Sequence, residues 1–193
     1  GRYFVFVTSS PRLPGYSADH PDTTLAYRRD LKTGEVILVS RKDGPDGVPA
    51  EAATSATVSS DGNVVAFRAE GQLLPADTND KSDVYVRNIK TGTTVLASRA
   101  DGMDGVVADE SSGDPVISGD GTRVAFRSGA SNLGASGSHQ EIFVRDLKAG
   151  VTILASRADG EAGAEADGDS DYPSISFDGS KVAFSTYGKN LNA

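Results

Sequence analysis

Short apolar runs separated by glycine-bearing turns dominate the chain, and the same run recurs at a fixed interval. Asp-Gly pairs open an apolar stretch at Asp61-Gly62, Asp120-Gly121 and Asp178-Gly179, spaced by 59 and 58 residues. Val84-Tyr85-Val86-Arg87 returns as Ile142-Phe143-Val144-Arg145, 58 residues on. The segment Val95 to Gly102 returns almost unchanged at Ile153 to Gly160, and an earlier copy spans Ile37 to Gly44. A period of this size signals a repeat architecture and has to be read before any single motif.

Each period holds four short β-runs. In one copy these are about Pro115 to Ser118, Arg123 to Arg127, Ile142 to Arg145 and Thr152 to Ser156. Glycines in the tight turns between them supply the left-handed residue that reverses the chain. Runs such as Arg123-Val124-Ala125-Phe126 are apolar on successive residues, as in a sheet covered on both faces. No helical period of useful length appears. The pattern predicts an all-β chain, a β-propeller of four-stranded antiparallel blades. Its expected divisions are 1–53 (strands two to four of a blade), 54–110 and 111–169 (complete blades) and 170–193 (strands one and two).

The elements Pro173 to Ser185, with their Pro, Ser, Asp-Gly and Val-Ala-Phe pattern, and Ile142-Phe143-Val144-Arg145-Asp146-Leu147 resemble the TolB-like (PD40-type) propeller repeat. Trp is absent, which removes the signatures of WD-repeats and of sialidase Asp-boxes. The resemblance implies a ring of about six blades, where about three are present here. Closure is therefore expected from a longer chain, of which Gly1 to Phe6 reads as mid-strand, or from a homodimer with two-fold symmetry. It also implies a bacterial protein, periplasmic or secreted, that binds without catalysis.

Charge and composition narrow the function. With 19 Lys and Arg against 27 Asp and Glu, the chain lacks the basic surplus that nucleic acid or an anionic membrane requires. It has no cysteine, hence no thiolate chemistry, and no apolar run of the roughly 18 residues needed for membrane insertion. In an antiparallel meander the short turns share one face and the long loops the other. The long-loop segments 7–24, 42–55, 68–82, 100–114, 127–140 and 158–171 hold 19 acidic and 5 basic residues, leaving 8 and 14 elsewhere. An acidic long-loop face is expected, opposite an arc of Lys32, Lys90 and Lys148.

One long loop carries sharper chemistry. Asp77-Thr78-Asn79-Asp80-Lys81-Ser82-Asp83 places oxygen-bearing side chains at Asp77, Asn79 and Asp83, a set that suits Ca²⁺. An Asx-turn that shapes the loop is the plainer alternative. Repeats of the resembling family carry Asp-Thr-Asn-Gly here; Asp80 stands in place of that Gly, and Gly134 to Glu141 of the next blade lacks the ligands. Catalytic sets are not assembled. Gly134-Ala135-Ser136-Gly137-Ser138 is not a nucleophile elbow, and His20 and His139 sit at non-equivalent loop positions. Arg41, Arg99 and Arg157 recur at the end of strand four, where pairing with an Asp of the adjoining blade is expected.

Three functions follow as expectations. The first is a non-enzymatic scaffold that grips a protein or polymer through the acidic face. The second is the substrate-gating propeller of a larger hydrolase such as a prolyl-oligopeptidase-like enzyme, and the third a self-assembling structural module.

Overall fold

The computed structural model describes residues 1–19, 21–160 and 162–191. His20, Glu161, Asn192 and Ala193 lie outside the described residues. Among the described residues thirteen strands form four antiparallel sheets. The first holds β1 (Tyr3–Thr8), β2 (Leu25–Asp30) and β3 (Val36–Leu38); the second holds β4 (Ala52–Val58), β5 (Val64–Glu70), β6 (Asp83–Asn88) and β7 (Thr93–Leu96). The third holds β8 (Ser112–Ile117), β9 (Arg123–Ser128), β10 (Glu141–Asp146) and β11 (Val151–Leu154), and the last β12 (Ser170–Ile175) and β13 (Val182–Thr186). In each sheet, neighbours in sequence are neighbours in space.

The sheets stack face on face. β4 packs on β1 and β2, β8 on β5 and β6, and β12 on β9 and β10. This explains the unbroken burial of the third strand, where β6 and β10 are buried at five successive positions. The outer β7 instead alternates exposed and buried residues, as a sheet with one wet face should. A cross-strand aromatic pair repeats inside the stack: Phe6 with Tyr27, Phe67 with Tyr85 and Phe126 with Phe143, centroids 5.6–5.8 Å apart. Ring pairs of this kind add roughly 0.5–1.5 kcal/mol beyond burial.

The Asp-Gly turns are built by their side chains. In the second sheet Ser59 Oγ donates to Asp61 Oδ1, which also accepts the Asn63 N–H, while Gly62 holds a φ of 74°. Ser118, Asp120 and Thr122, then Ser176, Asp178 and Ser180, repeat the arrangement. These donors hold the Asp120 and Asp178 carboxyls below the usual range. The first strand starts earlier than its apolar residues suggest. β8 begins at Ser112, because a bulge with Asp114 at φ 50° carries the strand past Pro115.

The recurring Arg-x-Asp-Gly segment does something the repeat pattern alone does not disclose. After β3 and β7 the chain makes a hairpin, closed by the bridges Arg41 with Pro49 and Arg99 with Val107, that reaches onto the outer strand of the following blade. Asp101 Oδ1 accepts the Thr152 N–H at 2.7 Å, Arg99 C=O accepts the Thr152 hydroxyl at 2.6 Å, and the Gly102 N–H donates to Gly150 C=O at 2.8 Å. The buried Arg145 donates to Ala100 C=O at 2.9 Å and Gly102 C=O at 2.6 Å. One period earlier Asp43, Arg41, Gly44, Thr94 and Arg87 make the same clasp. Gly105 sits at the hairpin waist, where a Cβ would lie 2.0 Å from Ala100 O, and Gly47 repeats this at 2.1 Å from Lys42 O.

Two expectations change with this clasp. Arg41 and Arg99 do not pair with an Asp of the adjoining blade; their Nε atoms donate to Gly47 C=O and Gly105 C=O of their own hairpins. The planar guanidinium ties off a carbonyl that a carboxylate could not satisfy. Asp43 and Asp101 are likewise drawn to the rim, beside the short turns of the next blade, so the long-loop segments do not deliver all their acids to one face. Lys32, Lys90 and Lys148 do lie exposed in the short turns.

Because Arg145 joins two blades through backbone carbonyls, Arg145→Ala should lower unfolding free energy by about 2–4 kcal/mol in urea titration. Arg145→Lys should recover less than half of that, since an ammonium cannot span the same acceptors.

Candidate functional site

Two carboxylates are buried where β6 meets the loop before it. Asp77 is 1% exposed and Asp83 0%. The Tyr85 hydroxyl donates to Asp77 Oδ2, and Ser98 Oγ donates to Asp83 Oδ1 at 2.5 Å while accepting the Val84 N–H. Asp77 Oδ1 and Asp83 Oδ2 are buried with no hydrogen-bond partner. Burial, reinforced by the charge of Asp77 and opposed by Ser98 and Asn79, raises the Asp83 carboxyl to about 6. Burial and the bond to Asp77 push the Tyr85 phenol far upward, keeping it a donor.

Asn79 stands half-buried beside this pair. Its Oδ1 accepts the Lys81 N–H at 2.8 Å and its Nδ2 donates to Ala108 C=O at 2.6 Å, pinning the loop to the next inter-blade segment. Asp80 takes the left-handed conformation at φ 53°, the position where resembling repeats carry Gly. Lys81 turns outward to Glu110 at 3.2 Å. The fold thus gathers Asp77 and Asp83, with Asn79 against Asp83, but assigns Asn79 a bracing task as well. Among the described residues no group of three or more His, Asp or Glu side chains is placed to hold a metal ion.

The neighbouring blades fill the same slot differently. One period on, Ala135 stands for Asp77, Phe143 for Tyr85 and Glu141 for Asp83. The acid and its phenol donor vanish together, yet one buried carboxylate survives, so this stretch has not lost every candidate ligand. Glu141 is 1% exposed; Ser156 Oγ donates to its Oε2 while its Oε1 lacks a partner. One period earlier Leu25 stands for Asp83, Asp19 takes the place of Asp77 but is exposed, and the Tyr27 hydroxyl donates to Pro14 C=O.

On the long-loop side, a polar cleft of about 310 Å³ opens between the second and third blades. Arg68, Ser82, Glu110, Asp114, Arg127 and Gln140 line it. Arg127 pairs with Asp114 at 3.2 Å and with Asp171 of the next sheet at 2.8 Å, and Arg68 donates to Ser82 Oγ at 2.8 Å. Its walls are therefore of mixed charge rather than acidic. Other loop acids are engaged in bracing: Asp109 accepts from Ser131, and Asp167 from the Lys189 N–H. A larger apolar cavity of about 570 Å³, lined by Tyr16, Leu25, Val48 and Pro49 among others, flanks the first blade. His139 lies 3.7 Å from Asp169, and Ser136 Oγ bonds to Ser138 Oγ, so the histidine and these serines have separate partners.

The pairing of Glu141 with a single hydroxyl has a pH signature. Burial raises this carboxyl from 4.5 to about 7, with the Ser156 bond opposing. Its folded-state value is raised, so its favourable contribution is complete below about 4.5 and is lost as pH climbs through about 7. Glu141→Gln should therefore gain on the parent chain by roughly 2 kcal/mol between pH 5 and pH 8. Denaturant titrations at both pH values check this, and a pH-independent difference would contradict it.

No protein-family model and no curated protein matches the sequence. Solved structures do match its shape. TolB from Acinetobacter baumannii superposes with a TM-score of 0.53 at 15% identity, over 99% of this chain and 39% of that one. The tricorn protease gives 0.55 at 11% identity, over 96% and 14%. The β-propeller domain of the trilobed protease from Pyrococcus furiosus gives 0.51 at 12% identity, over 79% and 39%. The chain thus spans well under half the length of these proteins. What they share with it is architecture, and the chain is a run of β-propeller blades, a fold it has in common with TolB.

Proposed function

We propose that these blades form a non-catalytic binding scaffold that grips a protein segment or polymer on the long-loop side. The observation that supports this most is the mixed-charge cleft, where Arg68, Glu110, Asp114 and Arg127 line one inter-blade seam. Such a cleft sets guanidinium and carboxylate groups side by side, and an extended segment bearing both charges has the chemistry to exchange with the pairs already made there. Its described residues bring together no nucleophile and base. Resemblance to TolB-like repeats adds a periplasmic or secreted setting to the proposal, and no helix among the described residues is long and apolar enough to cross a membrane.

A second reading keeps the scaffold but changes its owner. The likeness to the tricorn and trilobed protease propellers supports a substrate-gating role within a larger hydrolase, with the catalytic set elsewhere. In both readings the propeller itself binds and does not cleave.

Labelled poly-lysine, poly-glutamate and mixed-charge peptides, titrated by fluorescence anisotropy, test the scaffold. Saturable binding of the mixed-charge peptides is expected, weakened about tenfold by Arg127→Ala. Chromogenic peptide and ester substrates should remain intact. Turnover of any of them, or binding indifferent to Arg127→Ala in a folded variant, would overturn the proposal.

A further inference from the structure

We propose that Asp77 and Asp83 form the floor of a binding site for a hard divalent cation, Ca²⁺ in preference to Mg²⁺, with the Asn79 amide at its rim. The site stands on geometry. Each carboxylate spends one oxygen on a hydroxyl, from Tyr85 or Ser98, and keeps the other buried without a well-formed hydrogen bond, the Asn79 amide alone standing beside Asp83. A carboxylate out of water needs a proton, a basic side chain or a metal. No basic side chain answers: Lys81 reaches away to Glu110, and none of the salt bridges among the described residues includes Asp77 or Asp83.

A shared proton would neutralise one of the two carboxylates and leave the second unmatched. A divalent cation answers both at once. It also gives a reason for Asp77 and Asp83, six residues apart in one short loop, to keep free oxygens buried there, while Asn79, its oxygen held by the Lys81 N–H, braces the rim. Ca²⁺ takes about 6–8 oxygens in flexible arrangements, so loop carbonyls and water can complete its shell, whereas Mg²⁺ demands a tighter octahedron. The repeat itself is an internal control. Where Asp77 is replaced by Ala135, its phenol partner is replaced by Phe143; in the first blade Asp19 and Tyr27 hold the two places, but Asp19 is exposed and the Tyr27 hydroxyl turns to Pro14, so the buried acid–phenol pair belongs to the second blade.

Terbium luminescence tests the site on the whole chain. The sequence has 6 Tyr and no Trp, and the Tyr85 hydroxyl touches Asp77, so excitation of tyrosine should sensitise Tb³⁺ bound there. After EDTA treatment, emission should saturate at about one ion per chain and be displaced by Ca²⁺ far better than by Mg²⁺. Asp77→Asn should abolish it, Tyr85→Phe should dim it several-fold, and Asp104→Asn, on an exposed hairpin, should leave it unchanged. Millimolar Ca²⁺ should raise the melting temperature of the EDTA-treated chain by about 5 °C. Absent emission, emission unaffected by Asp77→Asn, or a melt indifferent to Ca²⁺ and EDTA would each overturn the proposal. The last, combined with a strong pH dependence, would identify a shared proton instead. If Asp77→Asn fails to fold, the Ca²⁺ competition and melting shift of the unmodified chain still decide.

Discussion

Everything in this structure follows from burying each inner sheet on both faces. A four-stranded sheet with one wet face tolerates polar residues on that face; a blade with another blade on each side does not. The third strand feels this most, because it runs through the middle of the stack with five successive buried positions in β6 and β10. Any polar atom placed there needs a partner inside the protein. The chain meets that demand in two ways, and the two have opposite implications.

Arg87 and Arg145 show the first. Each is a buried cation, yet each spreads its N–H groups over neutral carbonyls of the preceding hairpin and the hydroxyl of Thr94 or Thr152. The terminal N–H groups of each meet acceptors in the preceding hairpin and the neighbouring strand, so the charge closes a seam. Asp77, Asp83 and Glu141 show the second. A single hydroxyl satisfies one oxygen of each and the other is left over. A leucine fills the place of Asp83 and Glu141 in the first blade, so the fold has no need of an acid at that position. Buried carboxylates retained under those conditions are poor stabilisers, and a task beyond stability is the economical explanation for them.

The repeat made the architecture legible before any coordinate was known. Period, turn glycines and strand alternation are local signals, and each blade repeats them. The inter-blade clasp was written in the same sequence but could not be decoded from it. Its partners, such as Gly44 and Arg87, lie 43 residues apart and meet only after the outer strands have twisted toward the next blade. For the same reason the charge map failed in part, since Asp43 and Asp101 ride on hairpins that leave the loop face for the rim. The carboxylate site was half legible. Asp77, Asn79 and Asp83 stand out by spacing alone, whereas Ser98 and Tyr85, and the surviving Glu141 of the next blade, gain meaning only once burial is known.

The clasp also bears on how such a chain can lengthen over evolutionary time. Hairpin and receiving arginine belong to different blades, so neither blade alone carries a complete joint. Because the two halves recur with the same spacing, however, a tandem duplication of one repeat delivers a hairpin that fits the arginine already present and an arginine that fits the hairpin already present. New copies are compatible with old ones at the moment they arise. Divergence can then act on what the joint does not use, and the slot occupied in turn by Leu25, Asp83 and Glu141 is where this chain has spent that freedom.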